Sequence, residues 1–204
     1  MFWRKKKEIN DNPPFVIVGL GNPGPEYALN RHNAGFLAVD EMARQLETTF
    51  SRMQSEALVA SARHGEERLV LAKPRTYMNR SGSAVRGLLR FYKAPLEKLL
   101  VLYDDVDLPF GSLRLRAEGG SAGQKGMKSI IENLGGQDFA RLRVGVGRPK
   151  GRMRTPDHVL QDFSRQEREE LPFVLQRAAE AGLSFVSDGI VTAMNKYNAH
   201  ESDE

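Results

Sequence analysis

Two short stretches spell known chemistries. Gly19-Leu20-Gly21-Asn22-Pro23-Gly24 follows the pattern G-x-G-x-x-G, and Gly119-Gly120-Ser121-Ala122-Gly123 follows G-x-S-x-G. The first belongs to dinucleotide binding when a strand precedes it, a helix opens at once behind it, and an acid follows about 20 residues later. Here Pro23 and Pro25 bracket Gly24, and a proline offers no N–H to a phosphate. The acids at the right distance, Asp40 and Glu41, fall inside an amphipathic helical pattern. The stretch therefore reads as a rigid turn that presents Asn22 at the carboxyl end of a strand, where open α/β sheets bind ligands.

The second pattern would make Ser121 the nucleophile of an esterase. Its preceding strand, LRLRAE, alternates Leu with Arg and reads as half-exposed, whereas a nucleophile elbow caps a buried strand. The histidines further along are His158 in TPDHVLQDF and His200 in the polar tail. A Ser121 esterase stays open as an alternative.

Four other polar side chains stand beside apolar runs. His32 in RHNAG and Asn79 in PRTYMNRSG each precede a helical pattern, while Asp104 in LYDDVDLPFG and Asn22 each follow an apolar run. They can converge on one sheet edge. The plainer reading of the first makes Asn33 an N-cap and leaves His32 exposed.

Stepping along the chain gives the elements that would position them. Apolar runs predict strands at 15–20, 58–63, 69–72, 99–103, 113–116 and 142–146. Helical spacing covers 36–46, 84–92, 127–134, 166–187 and 189–197. The alternation implies an α/β single domain, and the hairpin pattern of ALVASARHGEERLVLAKP makes its twisted sheet mixed, with helices packed on both faces. The expected layout is a basic N-terminal arm at 1–14, a domain at 15–198 and a polar tail at 199–204. The segment 148–156, rich in Pro, Gly and Arg, reads as a flap.

Composition narrows the function classes. The chain has 204 residues and no cysteine, which excludes disulfides, thiolate metal sites and cysteine nucleophiles. No apolar run reaches the roughly 18 residues of a membrane span, and MFWRKKKEINDNPP lacks the apolar stretch of a secretory signal. The net charge is only +4, but it is segregated. RLRVGVGRPKGRMR (141–154) holds six basic residues and no acid, and a second basic stretch runs from Arg114 to Lys128. Such clustering suits a polyanionic partner, or else solvated strand and loop faces.

The ordered set GLGNPGPEY, RHNAG, PRTYMNRSG, DDVDLPFG, GGSAGQKGMKSI and RLRVGVGRP resembles the bacterial-type peptidyl-tRNA hydrolase family, from about Phe15 to about Tyr197. The resemblance implies cleavage of the ester between a peptide and the tRNA 3′ ribose, without cofactor or metal. It makes His32 the general base, Asp104 the carboxylate that holds it, and Asn22 the amide beside the ester. It places Tyr27, Tyr77, Met78 and Asn79 around the peptide and the tRNA terminus, and Arg116 and Arg143 against tRNA phosphate. One departure stands out. Many relatives carry His-Asn where this chain has Gln124-Lys125. A lysine donates but cannot accept, so Lys125 cannot copy an amide, though it can grip a phosphate or ribose oxygen. The partner implied is peptidyl-tRNA, with no membrane, and a cytoplasmic monomer is expected. A protein of the same fold that binds RNA without hydrolysis is the alternative from another class.

Overall fold

The protein is described from a computed structural model, which covers residues 12–149 and 151–198. Most of the expected basic arm, and the polar tail with His200, lie outside the described residues.

Strand β1 (Phe15–Gly19) is apolar throughout because both of its edges and both of its faces are covered. Helix α1 (Ala34–Gln45) follows it. An antiparallel run comes next, made of β2 (Arg52–Gln54), β3 (Ala57–His64) and β4 (Glu67–Pro74). Helix α2 (Ser81–Tyr92) leads to β5 (Leu99–Asp105), the short β6 (Leu113–Arg116), α3 (Lys125–Leu134) and β7 (Ala140–Gly145). The short α4 (Thr155–Val159) and the long α5 (Arg165–Tyr197) complete the order.

The seven strands form one sheet in the order β2-β3-β4-β1-β5-β7-β6. Its centre, β4, β1, β5 and β7, is parallel, and β6 pairs antiparallel with β7 at the far edge. Alternate residues feed two cores. Ile17, Leu100, Leu102 and Leu142 pack with residues of α1 and α5, while Val16, Val18, Val101 and Tyr103 pack with residues of α2 and α3. The mixed sheet covered on both faces is the architecture expected. Truncating a central residue such as Leu102, which is fully buried, costs about 2–5 kcal/mol.

Several boundaries differ from the reading of the sequence, each for a local reason. β2 has mostly exposed residues and no apolar run; it exists because the edge of β3 offers it partners. The segment TPDHV, which read as a loop passing into a helix, forms α4 with proline in its first turn, and the helix takes in the last residues of the predicted flap. The C-terminal division does hold: Gly189, with a φ of 82° and ψ of 168° that only glycine adopts readily, breaks α5 into two helical segments where the sequence separates 166–187 from 189–197. β5 runs on to Asp105, so Asp104 lies in the strand's last residues rather than beyond it.

The glycines of the first loop serve packing. A Cβ on Gly19 would overlap the Gly35 carbonyl, and one on Gly35 would overlap the backbone of Leu20 and Leu102. Bare backbone at both positions lets the first turn of α1 sit directly on the end of β1. Phe36 N–H then donates to the Leu20 carbonyl at 3.1 Å, and Leu20 N–H to the Leu102 carbonyl at 2.9 Å.

Candidate active site

The parallel strands leave their carboxyl ends on one side of the molecule. The chain leaves β1 for α1 on one face and leaves β4 for α2 on the other, so the sheet opens there. Asn22 follows β1, Tyr77–Asn79 follow β4, Asp104 is the next-to-last residue of β5, and Gln124 and Lys125 open α3. These residues, with His32, line a cavity of about 610 Å³, and Thr155, Pro156 and Val159 of α4 close another wall. The volume suits a ligand of a few hundred daltons.

His32 stands in a 3-10 turn, Arg31–Asn33, that runs directly into α1. Its side chain is largely covered, not exposed. Nδ1 lies 2.8 Å from Oδ2 of Asp104, itself 3% exposed. A carboxylate there only accepts, so the imidazole proton sits on Nδ1 and Nε2 is left as the accepting nitrogen. Gln124 Nε2 donates to the other Asp104 oxygen at 3.0 Å, and Gln124 Oε1 accepts the Met127 N–H at 2.8 Å. The second contact is the N-cap of α3.

Asn33 is not the side-chain cap of α1. Its amide reaches back instead to the glycine loop. Oδ1 accepts the Asn22 N–H at 2.8 Å and Nδ2 donates to the Asn22 carbonyl at 3.0 Å. Asn22 Oδ1 accepts the Met78 N–H at 2.9 Å. A backbone N–H fixes which atom of the amide is oxygen, so Asn22 Nδ2 remains as a donor at the cavity wall.

Arg31 ties the histidine's turn to the distant end of the chain. Its guanidinium donates to the carbonyls of His158, Gln161 and Asp162 and meets Glu167 at 2.6 Å. Glu167 also closes the capping box of α5 with Ser164. Burial pushes the Glu167 carboxyl up, but the Ser164 N–H and Arg31 outweigh it, and the group is held below the usual carboxylate range.

The other expected site residues divide. Met78 is buried in the wall, while Tyr77, 63% exposed, and Asn79 stand on the same lining. Lys125 lines the cavity as the first residue of α3. Tyr27 does not: it ends a separate 3-10 turn and is absent from the cavity lining. Arg116 and Arg143 line a neighbouring depression of about 490 Å³ with Tyr103 and Arg141, which meets the first cavity at Ala122. Arg143 pairs with Asp105; burial pulls its guanidinium down, and the Asp105 contact raises it more. Arg141 is buried beneath and donates to the carbonyls of Gly119, Gly120, Gln137 and Phe139, which holds the loop leading to Gln124. Burial pushes the Tyr103 hydroxyl up to about 12, so it stays protonated.

Ser121 does not line the cavity, and no hydrogen bond joins its hydroxyl to a histidine among the described residues. His158 Nε2 instead faces the Gly147 carbonyl at 3.0 Å. Among the described residues no group of three or more His, Asp or Glu side chains is placed to hold a metal ion, and no helix is long and apolar enough to cross a membrane.

The chain is similar to known proteins over most of its length. The family model described as peptidyl-tRNA hydrolase matches residues 16–204. The peptidyl-tRNA hydrolase of Herpetosiphon aurantiacus is 49% identical, covering 90% of each chain. That of Frankia casuarinae is 46% identical over 91% of this chain and 94% of its own. The crystal structure of peptidyl-tRNA hydrolase from Acinetobacter baumannii superposes with a TM-score of 0.86 at 34% identity, covering 93% of this chain and 96% of that one.

Proposed function

The chain belongs to the peptidyl-tRNA hydrolase family, and we propose that it cleaves the ester of peptidyl-tRNA with His32 as general base. The observation that carries the reading is the 2.8 Å contact between His32 Nδ1 and Asp104, which leaves Nε2 to take a proton at the cavity wall.

In this mechanism a water between Nε2 and the ester carbonyl gives its proton to His32 as its oxygen bonds to the carbonyl carbon. Asp104 stabilises the imidazolium that forms. Asn22 Nδ2, turned by the Met78 N–H, donates to the carbonyl oxygen as negative charge builds. The tetrahedral intermediate then expels the ribose 3′ oxygen, which receives the proton from His32. The products are a free peptide carboxylate and an intact tRNA. No covalent enzyme intermediate is needed, because an ester's leaving group is better than an amide's.

Affinity for the tRNA comes from phosphate contacts, which are blind to sequence and sensitive to salt. Arg116 and Arg143 face the depression beside the site, and Lys125 lines the cavity that holds the histidine. A lysine in the first turn of a helix opposes the helix dipole, so its position is explained better by a ligand than by stability. Tyr77, Met78 and Asn79 form the wall for the peptide and the terminal nucleotide, and Tyr27 takes no part in that wall. A cytoplasmic monomer fits this role. Among the described residues, exposed apolar side chains such as Met53, Phe91 and Phe173 lie on different elements.

The test is a competition between N-acetylaminoacyl-tRNA and aminoacyl-tRNA made on the same tRNA. The chain should release only the N-blocked amino acid. Equal cleavage of both, or of neither, would overturn the assignment.

A further inference from the structure

Gln124 occupies two hydrogen-bonding positions with one amide. Its Oε1 is bound to the Met127 N–H, a group that can only donate, so the amide cannot be turned over. Nε2 is therefore committed to donating, and it meets Asp104 Oδ1 at 3.0 Å and the Met78 sulfur at 3.3 Å. The loop delivers this geometry through Ala122 and Gly123, both at positive φ, and α3 through Gly126, where a Cβ would run into the Met78 sulfur.

Resting on the reading of His32 as base, we propose that Gln124 is a positioning residue for the hydrolysis. It decides which oxygen of Asp104 faces His32. It also satisfies the other oxygen with a neutral N–H, which limits the pull of the carboxylate on the imidazole proton. The remaining charges around the cavity do not compete for that place. Asp105 is turned to Arg143 and Asp107 to Arg148, Lys125 lies on α3 beside Gln124, and α4 contributes no charged side chain to the lining. Arg31, next to the histidine, is held by Glu167.

The bland alternative is that Gln124 only caps α3. Two substitutions separate the roles. In Gln124→Glu the introduced carboxylate still accepts the Met127 N–H, but its second oxygen faces Asp104 with negative charge. In Asp104→Asn the new amide must present its oxygen to the Gln124 N–H and its NH₂ to His32, which forces the imidazole proton onto Nε2. Combining them reverses the polarity. The introduced carboxylate accepts from the new amide, whose oxygen then faces His32 Nδ1–H again.

The experiment measures kcat/KM on N-acetylaminoacyl-tRNA against pH for the native chain, His32→Ala, both single variants and the double variant. Positioning predicts that Gln124→Glu moves the ascending limb up by about one pH unit, a tenfold loss on that limb. Asp104→Asn should lose about 10²–10⁴-fold, and the double variant should recover at least about tenfold over it, a coupling that independent sites do not show. An unmoved limb in Gln124→Glu together with additive losses in the double variant would reduce Gln124 to a cap. If His32→Ala keeps native activity, the base reading fails first; if it does not, an additive result overturns the positioning role alone.

Discussion

Asn33 is the residue whose removal the geometry allows to be worked through most fully. In Asn33→Ala both contacts to the glycine loop vanish together, leaving the Asn22 N–H and carbonyl without their partners. Asn33 and Asn22 are 3% and 9% exposed, so water can replace those contacts only in part. Each buried backbone group left unpaired costs about 1–3 kcal/mol, and about 3 kcal/mol for the two together allows for some relaxation. For a domain near 200 residues each kcal/mol moves Tm by about 2–4 °C, so the variant should melt about 6–12 °C lower. Asn33→Asp is the sharper control. Its carboxylate still accepts the Asn22 N–H but sets a second oxygen against the Asn22 carbonyl, so it should be no better than alanine. Because Asn22 carries the donor at the ester, kcat at 20 °C should fall about tenfold in both variants. Thermal unfolding by circular dichroism and steady-state hydrolysis read the two effects separately. Both variants melting within about 2 °C of the native chain with kcat retained would refute the clamp.

The Glu167 carboxyl is held below its ordinary value of 4.5 in the folded state; its contribution is therefore complete above that value and disappears as pH falls through the lower folded one. The stability gap between the native chain and Glu167→Gln should be constant from pH 7 to pH 5 and shrink towards pH 3, and a gap that does not change with pH would contradict the Arg31 contact. Lys125→Ala should raise KM for tRNA substrates by about tenfold at low salt and flatten the salt dependence by about one phosphate contact, with kcat nearly unchanged; an equal loss in kcat would place Lys125 in the chemistry instead. Ser121→Ala should hydrolyse within about twofold of the native rate, and loss of activity there would revive the serine nucleophile.

The central strands were legible because their burial is written locally. Phe15–Gly19 and Leu99–Tyr103 are apolar runs, and no distant partner is needed to recognise them. The same punctuation exposed Asn22 and Asp104, since a polar residue at the end of a buried strand has few structural reasons to be there. β2 was illegible because Arg-Met-Gln carries no pattern of its own. The supporting contacts were hidden for another reason. Asn33 looked like a cap because asparagine favours caps, yet its partner lies 11 residues back in the loop. Gln124 meets Asp104 across 20 residues and Arg31 meets Glu167 across 136, distances at which sequence spacing says nothing about contact. Arg116 and Arg143 read as members of two basic stretches, whereas Arg143 is paired with Asp105 and Arg141 beside it is buried in backbone contacts.

The central claim is that the imidazole of His32 takes the proton from the attacking water. It is tested most directly by release of N-acetylamino acid from N-acetylaminoacyl-tRNA in metal-free buffer, comparing the native chain with His32→Ala. The account predicts turnover by the native chain and a loss of about 10²–10⁴-fold in the variant, with tRNA affinity retained. Hydrolysis by His32→Ala within a few-fold of native, or tRNA binding without hydrolysis by the native chain, would contradict it.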